Sequence, residues 1–142
     1  GSIFASLCIG DGTLYPSALK LHFENGFHGV TEINSQRIEM NHEQGVAPYD
    51  LTFAAIGDCF YANFLAECEK MKLKIKYCDV EVTGNKRKEV PAMLETVDVS
   101  VAIKTYDDHA SIVEALENAS ENCSMLAMVR HVAEVTINVS FE

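Results

Sequence analysis

Leu19, Leu21 and Phe23 alternate with polar neighbours, and Asn25-Gly26 then supplies the residues that a tight type I′ hairpin turn needs. Residues 27–33 form the returning strand, Asn34-Ser35 marks a second turn, and 37–40 make a third short strand. The pattern therefore predicts an N-terminal β-meander. The rhythm changes at Pro48, which fits the first position of a helix because its missing N–H costs nothing there. Asp50 in that first turn faces the positive end of the helix dipole. From 51 to 71 apolar residues occupy nearly every face, and polar ones thicken only after Glu67. A helix that is hydrophobic all round is buried all round, so this one is expected to be central and covered by sheet or by a partner chain.

Ile75 and Tyr77 are apolar at odd positions, whereas Cys78, Val80 and Val82 are apolar at even ones. That phase change predicts a bulge near Cys78. Gly84-Asn85 turns the chain, with Lys86-Arg87-Lys88 in the turn, and Val97, Val99, Val101 and Ile103 alternate along a long strand. Asp107 or Asp108 caps a second helix that starts near His109 and carries Ile112, Val113 and Leu116 at helical spacing. The polar run 118–122 loosens that helix, 124–129 resumes it, and Val135, Ile137, Val139 and Phe141 make a closing strand. The order is β-meander, long buried helix, two strands, helix, strand. This predicts an α+β fold with helices segregated from antiparallel sheet. One domain is expected over 1–142, with the meander over 1–47 and a helix-strand core over 48–142. Gly1-Ser2 reads as a scar of expression. A buried helix and edge strands in so short a chain predict an obligate homodimer.

Composition narrows the partners. With 142 residues, 48% hydrophobic and 23% charged, the chain has the make-up of one globular domain. Eleven Lys and Arg against 21 Asp and Glu give a net charge of −10, which leaves no large basic face and argues against a nucleic-acid partner. The apolar run 51–66 contains Asp58 and Asn63 and is shorter than the roughly 20 residues that span a bilayer, so no membrane segment is expected. Residues 3–9 lack the basic flank of a signal peptide. The five cysteines, Cys8, Cys59, Cys68, Cys78 and Cys123, are odd in number and show no CxxC or metal-finger spacing. A reducing, cytoplasmic setting follows as the expectation. The five histidines, at 22, 28, 42, 109 and 131, are scattered without ligand spacing, and no metal or other cofactor is expected.

Thiols are the one reactive group in a suggestive arrangement. Cys59 lies midway along the most apolar helix and Cys123 in the second helix beside a small, polar run. Both elements should pack into one core, where two thiols brought together could cycle between dithiol and disulfide. Composition and spacing alone favour the plainer reading, in which a free Cys is a small buried hydrophobe.

The flanking residues change the balance. The segment Pro48-Tyr49-Asp50-Leu51-Thr52-Phe53-Ala54-Ala55-Ile56-Gly57-Asp58-Cys59 resembles the first cysteine motif of the OsmC/Ohr family, in which a Pro opens a helix and Cys follows eleven positions later. Ala119-Ser120-Glu121-Asn122-Cys123-Ser124-Met125-Leu126 is similar to the second motif, and the valine-rich strand at 135–139 to the family's closing strand. The resemblance covers roughly residues 48–141 and the meander more loosely. It implies an intertwined homodimer with active sites at the subunit interface, and an enzyme of the peroxide-stress response that reduces organic hydroperoxides. Carried over, Cys59 is the peroxidatic thiol and Cys123 the resolving thiol, with a dithiol reductant reopening the disulfide and no cofactor. The alternative is a family member that keeps the fold without peroxidase turnover and binds a small apolar ligand or serves another role.

Three positions depart from the peroxidase pattern. Tyr49 stands where those members place Glu directly after the Pro, with the acid, Asp50, one position later. Residues 1–36 contain no Arg, so Arg37 is the upstream cation available to a thiol that is otherwise only a few per cent ionised at neutral pH. Asp58 precedes Cys59 where small residues are usual, and a carboxylate facing the thiol would raise its pKa. Asp50 and Arg37 are therefore supporting candidates, each with a plainer role as a helix-end acid and a solvated strand residue. Cys68, nine residues beyond Cys59, falls on the opposite helix face and is read with Cys78 as a packing residue.

Overall fold

The structure, a computed structural model, describes residues 18–41 and 43–142. Cys8, His42, Gly1-Ser2 and the stretch 3–9 lie outside the described residues. The chain packs as two compact units that divide between Thr52 and Phe53.

The first unit is the meander. Strands β1 (Leu21–Glu24), β2 (His28–Ile33) and β3 (Gln36–Met40) pair antiparallel in the order β1-β2-β3. The two-residue turn is not where Asn25-Gly26 pointed. Glu24 pairs with His28, so that loop holds three residues, although Asn25 and Gly26 both adopt positive φ. Ile33 pairs with Gln36, and it is Asn34 and Ser35, at φ 49° and 67°, that make the two-residue turn of the I′ kind.

Helix α1 spans Pro48–Met71, as its start signal predicted. Ala47 at the N-cap offers no side chain, and Asp50 reaches back instead, its Oδ2 accepting the Ala47 N–H at 2.9 Å. Within one chain this helix is not covered on every face. Its buried residues begin at Ile56 and run through Phe60, Asn63, Phe64, Ala66, Glu67 and Cys68, while Ala54 and Ala55 are exposed.

The second unit also holds β4 (Tyr77–Lys86), β5 (Leu94–Lys104), α2 (His109–Asn122), α3 (Ser124–Val129) and β6 (Glu134–Phe141). Its sheet has the order β4-β5-β6, and it is mixed rather than antiparallel throughout. β4 pairs antiparallel with β5, but β6 returns parallel to β5, because the helical crossover through α2 and α3 brings the chain back to the same end of the sheet. The inward face of β5 is the row Val97, Val99, Val101 and Ile103, all buried. Ile112, Ala115, Leu116 and Ala119 of α2 and Leu126 of α3 complete the buried apolar set with Ile56, Phe60 and Phe64 of α1.

Two local expectations are corrected. There is no bulge at Cys78, because Ile75 lies in the connection before the strand and its phase belongs there; the register shifts at Asn85/Lys86 instead. Gly84 does not turn the chain but sits within β4, where a Cβ would lie 2.6 Å from the carbonyl oxygen of Thr96 and 3.3 Å from the ring of Phe53. The glycine permits close approach beside the shift. Gly57 does the same from α1, since a Cβ there would meet Val82 at 3.3 Å and Val80 at 3.6 Å. Phe53 and Gly57, one turn apart, thus seat α1 on β4. The turn itself follows, held by Arg87 N–H on Met93 O at 2.9 Å and Arg87 Nε on Pro91 O at 2.8 Å.

Asp108 caps α2, its Oδ2 accepting Ser111 N–H at 3.0 Å. The polar 118–122 run does not loosen the helix, which continues to Asn122 because Ala119 and Ser120 are buried on its inner face. His109 stacks on Phe141 with ring centres 3.8 Å apart, tying the start of α2 to the end of β6.

Candidate active site

The break between α2 and α3 falls on Cys123, whose backbone is extended (φ −72°, ψ 114°). Its N–H still closes α2 on Ala119 O at 3.0 Å, and its own carbonyl opens α3 by accepting the Ala127 N–H at 2.9 Å. This one-residue interruption carries the side chain to α1, where Cys123 Sγ lies 3.3 Å from Cys59 Sγ. A disulfide would need about 2.05 Å. The two are free thiols in hydrogen-bond contact, Cys123 donating and Cys59 accepting. Asn122, the residue before, adds a second tie to α1 through its Nδ2 on the buried Glu67 carboxylate at 3.4 Å.

Three more groups surround Cys59. Ser124 Oγ lies 3.6 Å from its sulfur. Asn63, one turn further along α1, donates Nδ2 to the Cys59 carbonyl at 2.9 Å and approaches the sulfur at 3.7 Å. The backbone N–H groups of Ser124 and Met125 also favour the Cys59 thiolate. The hydrogen bond from Cys123 is the largest influence and pulls the Cys59 pKa from 9.0 down to about 5. Burial opposes it, and the donors of Met125 and Ser124 assist. Cys123 is driven the other way, well above the thiol range, first by the proton it gives to Cys59 and then by burial. The pair thus holds one proton, on Cys123. Cys59 is half-buried and Cys123 fully buried, so the ionised sulfur is also the reachable one.

The other described cysteines differ in kind. Burial, then the neighbouring Cys78, pushes Cys68 up to about 12, and burial followed by Asp79 pushes Cys78 up to about 11. Both stay protonated at neutral pH. Arg37 lies exposed on β3, its Nε on Glu39 Oε1 at 3.3 Å. Asp50 is the cap of α1 described above. Asp58 lines a groove with Phe53, Gly57, Val80 and Val82. Among the described residues no three His, Cys, Asp or Glu side chains gather to hold a metal, and no helix is long and apolar enough to cross a membrane.

Ser124, Asn63 and the two backbone donors were not singled out by the sequence reading. Asn63 left one trace, a polar side chain four positions from Cys59 in an otherwise apolar run. The backbone donors left none, because they depend on where the helix breaks.

The profile of the OsmC-like protein family matches residues 41–138, well over half of the chain. No curated protein matches. Among solved structures, an OsmC-like protein from Mycoplasma pneumoniae has a TM-score of 0.78 at 13% identity, covering 87% of this chain and 95% of that one. An organic hydroperoxide resistance protein from Elizabethkingia anophelis has a TM-score of 0.72 at 18% identity, covering 92% and 99%. One from Legionella pneumophila, named an organic hydroperoxide resistance protein OsmC and predicted redox protein, has 0.72 at 17%, covering 90% and 98%. At these identities the structures share the fold, and the family match makes the statement about kinship: this chain belongs to the OsmC-like protein family.

Proposed function

We propose that this protein reduces organic hydroperoxides through a Cys59–Cys123 dithiol–disulfide cycle, in a reducing, cytoplasmic setting. The observation that carries this reading is the sulfur pair itself: two free thiols 3.3 Å apart, with Cys123 the donor and fully buried and Cys59 the acceptor and more accessible. That two structural relatives are named organic hydroperoxide resistance proteins supports the choice of substrate class.

The Cys59 thiolate attacks the outer oxygen of R–O–O–H, the O–O bond breaks, and a proton converts the departing alkoxide to the alcohol. Cys59 is left as a sulfenic acid. Cys123 then attacks that sulfur, the S–O bond breaks, and hydroxide leaves with the Cys123 proton as water. The resulting disulfide is reopened by an external dithiol, which is itself oxidised. A resolving thiol already in contact traps the sulfenic acid before a second peroxide can over-oxidise it. No cation is needed in contact with Cys59, since the Cys123 proton and the Ser124 and Met125 donors stabilise the anion.

The protein acts as a homodimer in this reading. Support comes from α1, whose Ala54 and Ala55 are exposed in one chain, and from Leu21, Phe23 and Phe27 of the meander, which are exposed. A second reading, ligand binding without turnover, is favoured by a cavity of about 780 Å³ that touches neither sulfur, with an apolar wall of Val113, Leu116, Ala127, Ile137 and Val139 and a polar side made by Glu117, Ser120, Glu121 and Arg130.

Cumene hydroperoxide with a dithiol reductant should be consumed by the wild type. Turnover should fall at least about 10³-fold in Cys59→Ser and Cys123→Ser, as losing a nucleophile does, with sulfenic acid trapped in the second. No wild-type consumption would favour the ligand-binding reading. The pH profile has a definite sign. Because the Cys59 pKa is lowered to about 5, peroxide reduction should be flat between about pH 6.5 and 8 and fall as the thiolate takes up a proton near pH 5. In Cys123→Ala the profile for stoichiometric Cys59 oxidation should move upward towards the ordinary thiol range. Light scattering at micromolar concentration should give twice the 15.7 kDa chain mass; a folded monomer would contradict the dimer.

A further inference from the structure

In an unbroken helix the carbonyl of residue i takes the N–H of residue i+4. Continued through Cys123, α2 would spend the Ser124 N–H on the carbonyl of Ser120. The extended backbone of Cys123 prevents this and takes the helical partners from the carbonyls of residues 120–122 and the N–H groups of residues 124–126. The Ser120 carbonyl is taken by Arg130, whose Nη1 donates to Ser120 O at 2.9 Å and whose Nη2 donates to Ser120 Oγ at 2.6 Å. Across the break Ser124 faces Cys59, its Oγ 3.6 Å from the sulfur.

Arg130 is placed to do this. It follows α3 directly, and its own N–H closes that helix on Leu126 O at 2.9 Å. Its side chain then reaches back to the last turn of α2, onto a serine that is itself buried. The guanidinium therefore spans the two arms of the kink, with Cys123 at the corner. We propose that Arg130 is a positioning residue for the Cys59–Cys123 pair: by occupying the Ser120 carbonyl it holds the helix break open and so keeps the Cys123 thiol against the Cys59 sulfur. The inference deepens the proposed thiol chemistry and rests on it.

The groups acting on Cys59 among the described residues are Cys123 and Ser124, the Met125 N–H and the Asn63 amide, so each can be varied separately. The test is the rate of Cys59 alkylation by iodoacetamide against pH in the reduced chain, read by peptide mass. Arg130→Met should raise the apparent pKa by about one unit, with the fold kept by circular dichroism; starting from about 5, that slows alkylation about nine-fold at pH 4 and about two-fold at pH 6. Arg130→Lys keeps the charge but loses the two-pronged reach to the Ser120 carbonyl and hydroxyl, and should move the profile in the same direction. An unmoved profile in folded Arg130→Met would overturn the proposal. So would an unmoved profile in Arg130→Lys, which decides the matter alone if Arg130→Met does not fold. Alkylation reads thiol acidity and peroxide consumption reads turnover, so a failure here leaves the function test standing, and the reverse.

Discussion

The hydrogen bond from Cys123 to Cys59 is the interaction on which the proposed thiol chemistry depends. A lone thiol at a half-buried helix position is penalised for ionising, and burial acts on Cys59 in that direction. At 3.3 Å the neighbouring thiol more than offsets the penalty, because a donor aimed at a thiolate is a charge-assisted bond in a medium that screens it poorly. The same contact fixes which sulfur is which. The proton stays on the fully buried Cys123, and the anion on the half-buried Cys59. Cys68 and Cys78 show the outcome without such a donor, as burial drives both upward.

That contact is a product of the fold at two scales. On the larger one, Phe53 and Gly57 seat α1 on β4, and the β5-to-β6 crossover returns α2 and α3 to the same unit. On the smaller one, a single extended residue between two helices swings Cys123 inward and frees backbone donors that a continuous helix would consume. The Asn122–Glu67 bond and the Arg130–Ser120 brace hold the corner from either side. Pre-organisation of this kind aims donors at the Cys59 sulfur before it ionises.

Much of this was legible in the residues. Pro48 and Asp50 marked the start of α1, Asp108 the start of α2, and the valine alternation the whole of β5, because each signal is local and its partner lies within a few positions. The flanks of Cys59 and Cys123 pointed to the pair that the fold brings together. What escaped were features set by distant partners. The parallel return of β6 depends on the length of the crossover, and β6 alternates as an antiparallel strand would. Gly84 looked like a turn because only the approach of Thr96 and Phe53 reveals it as a strand residue. The Ser124 and Met125 donors are backbone groups, which no side-chain pattern encodes.

The most direct measurement is a peptide map of the reduced chain after one equivalent of cumene hydroperoxide, with free thiols blocked as the chain is unfolded in denaturant. The account predicts a single crosslink joining the Cys59 and Cys123 peptides, two thiols lost per peroxide, and Cys68 and Cys78 still blockable. Cys59 oxidised but unlinked to Cys123, or both sulfurs still free after the peroxide has gone, would contradict it.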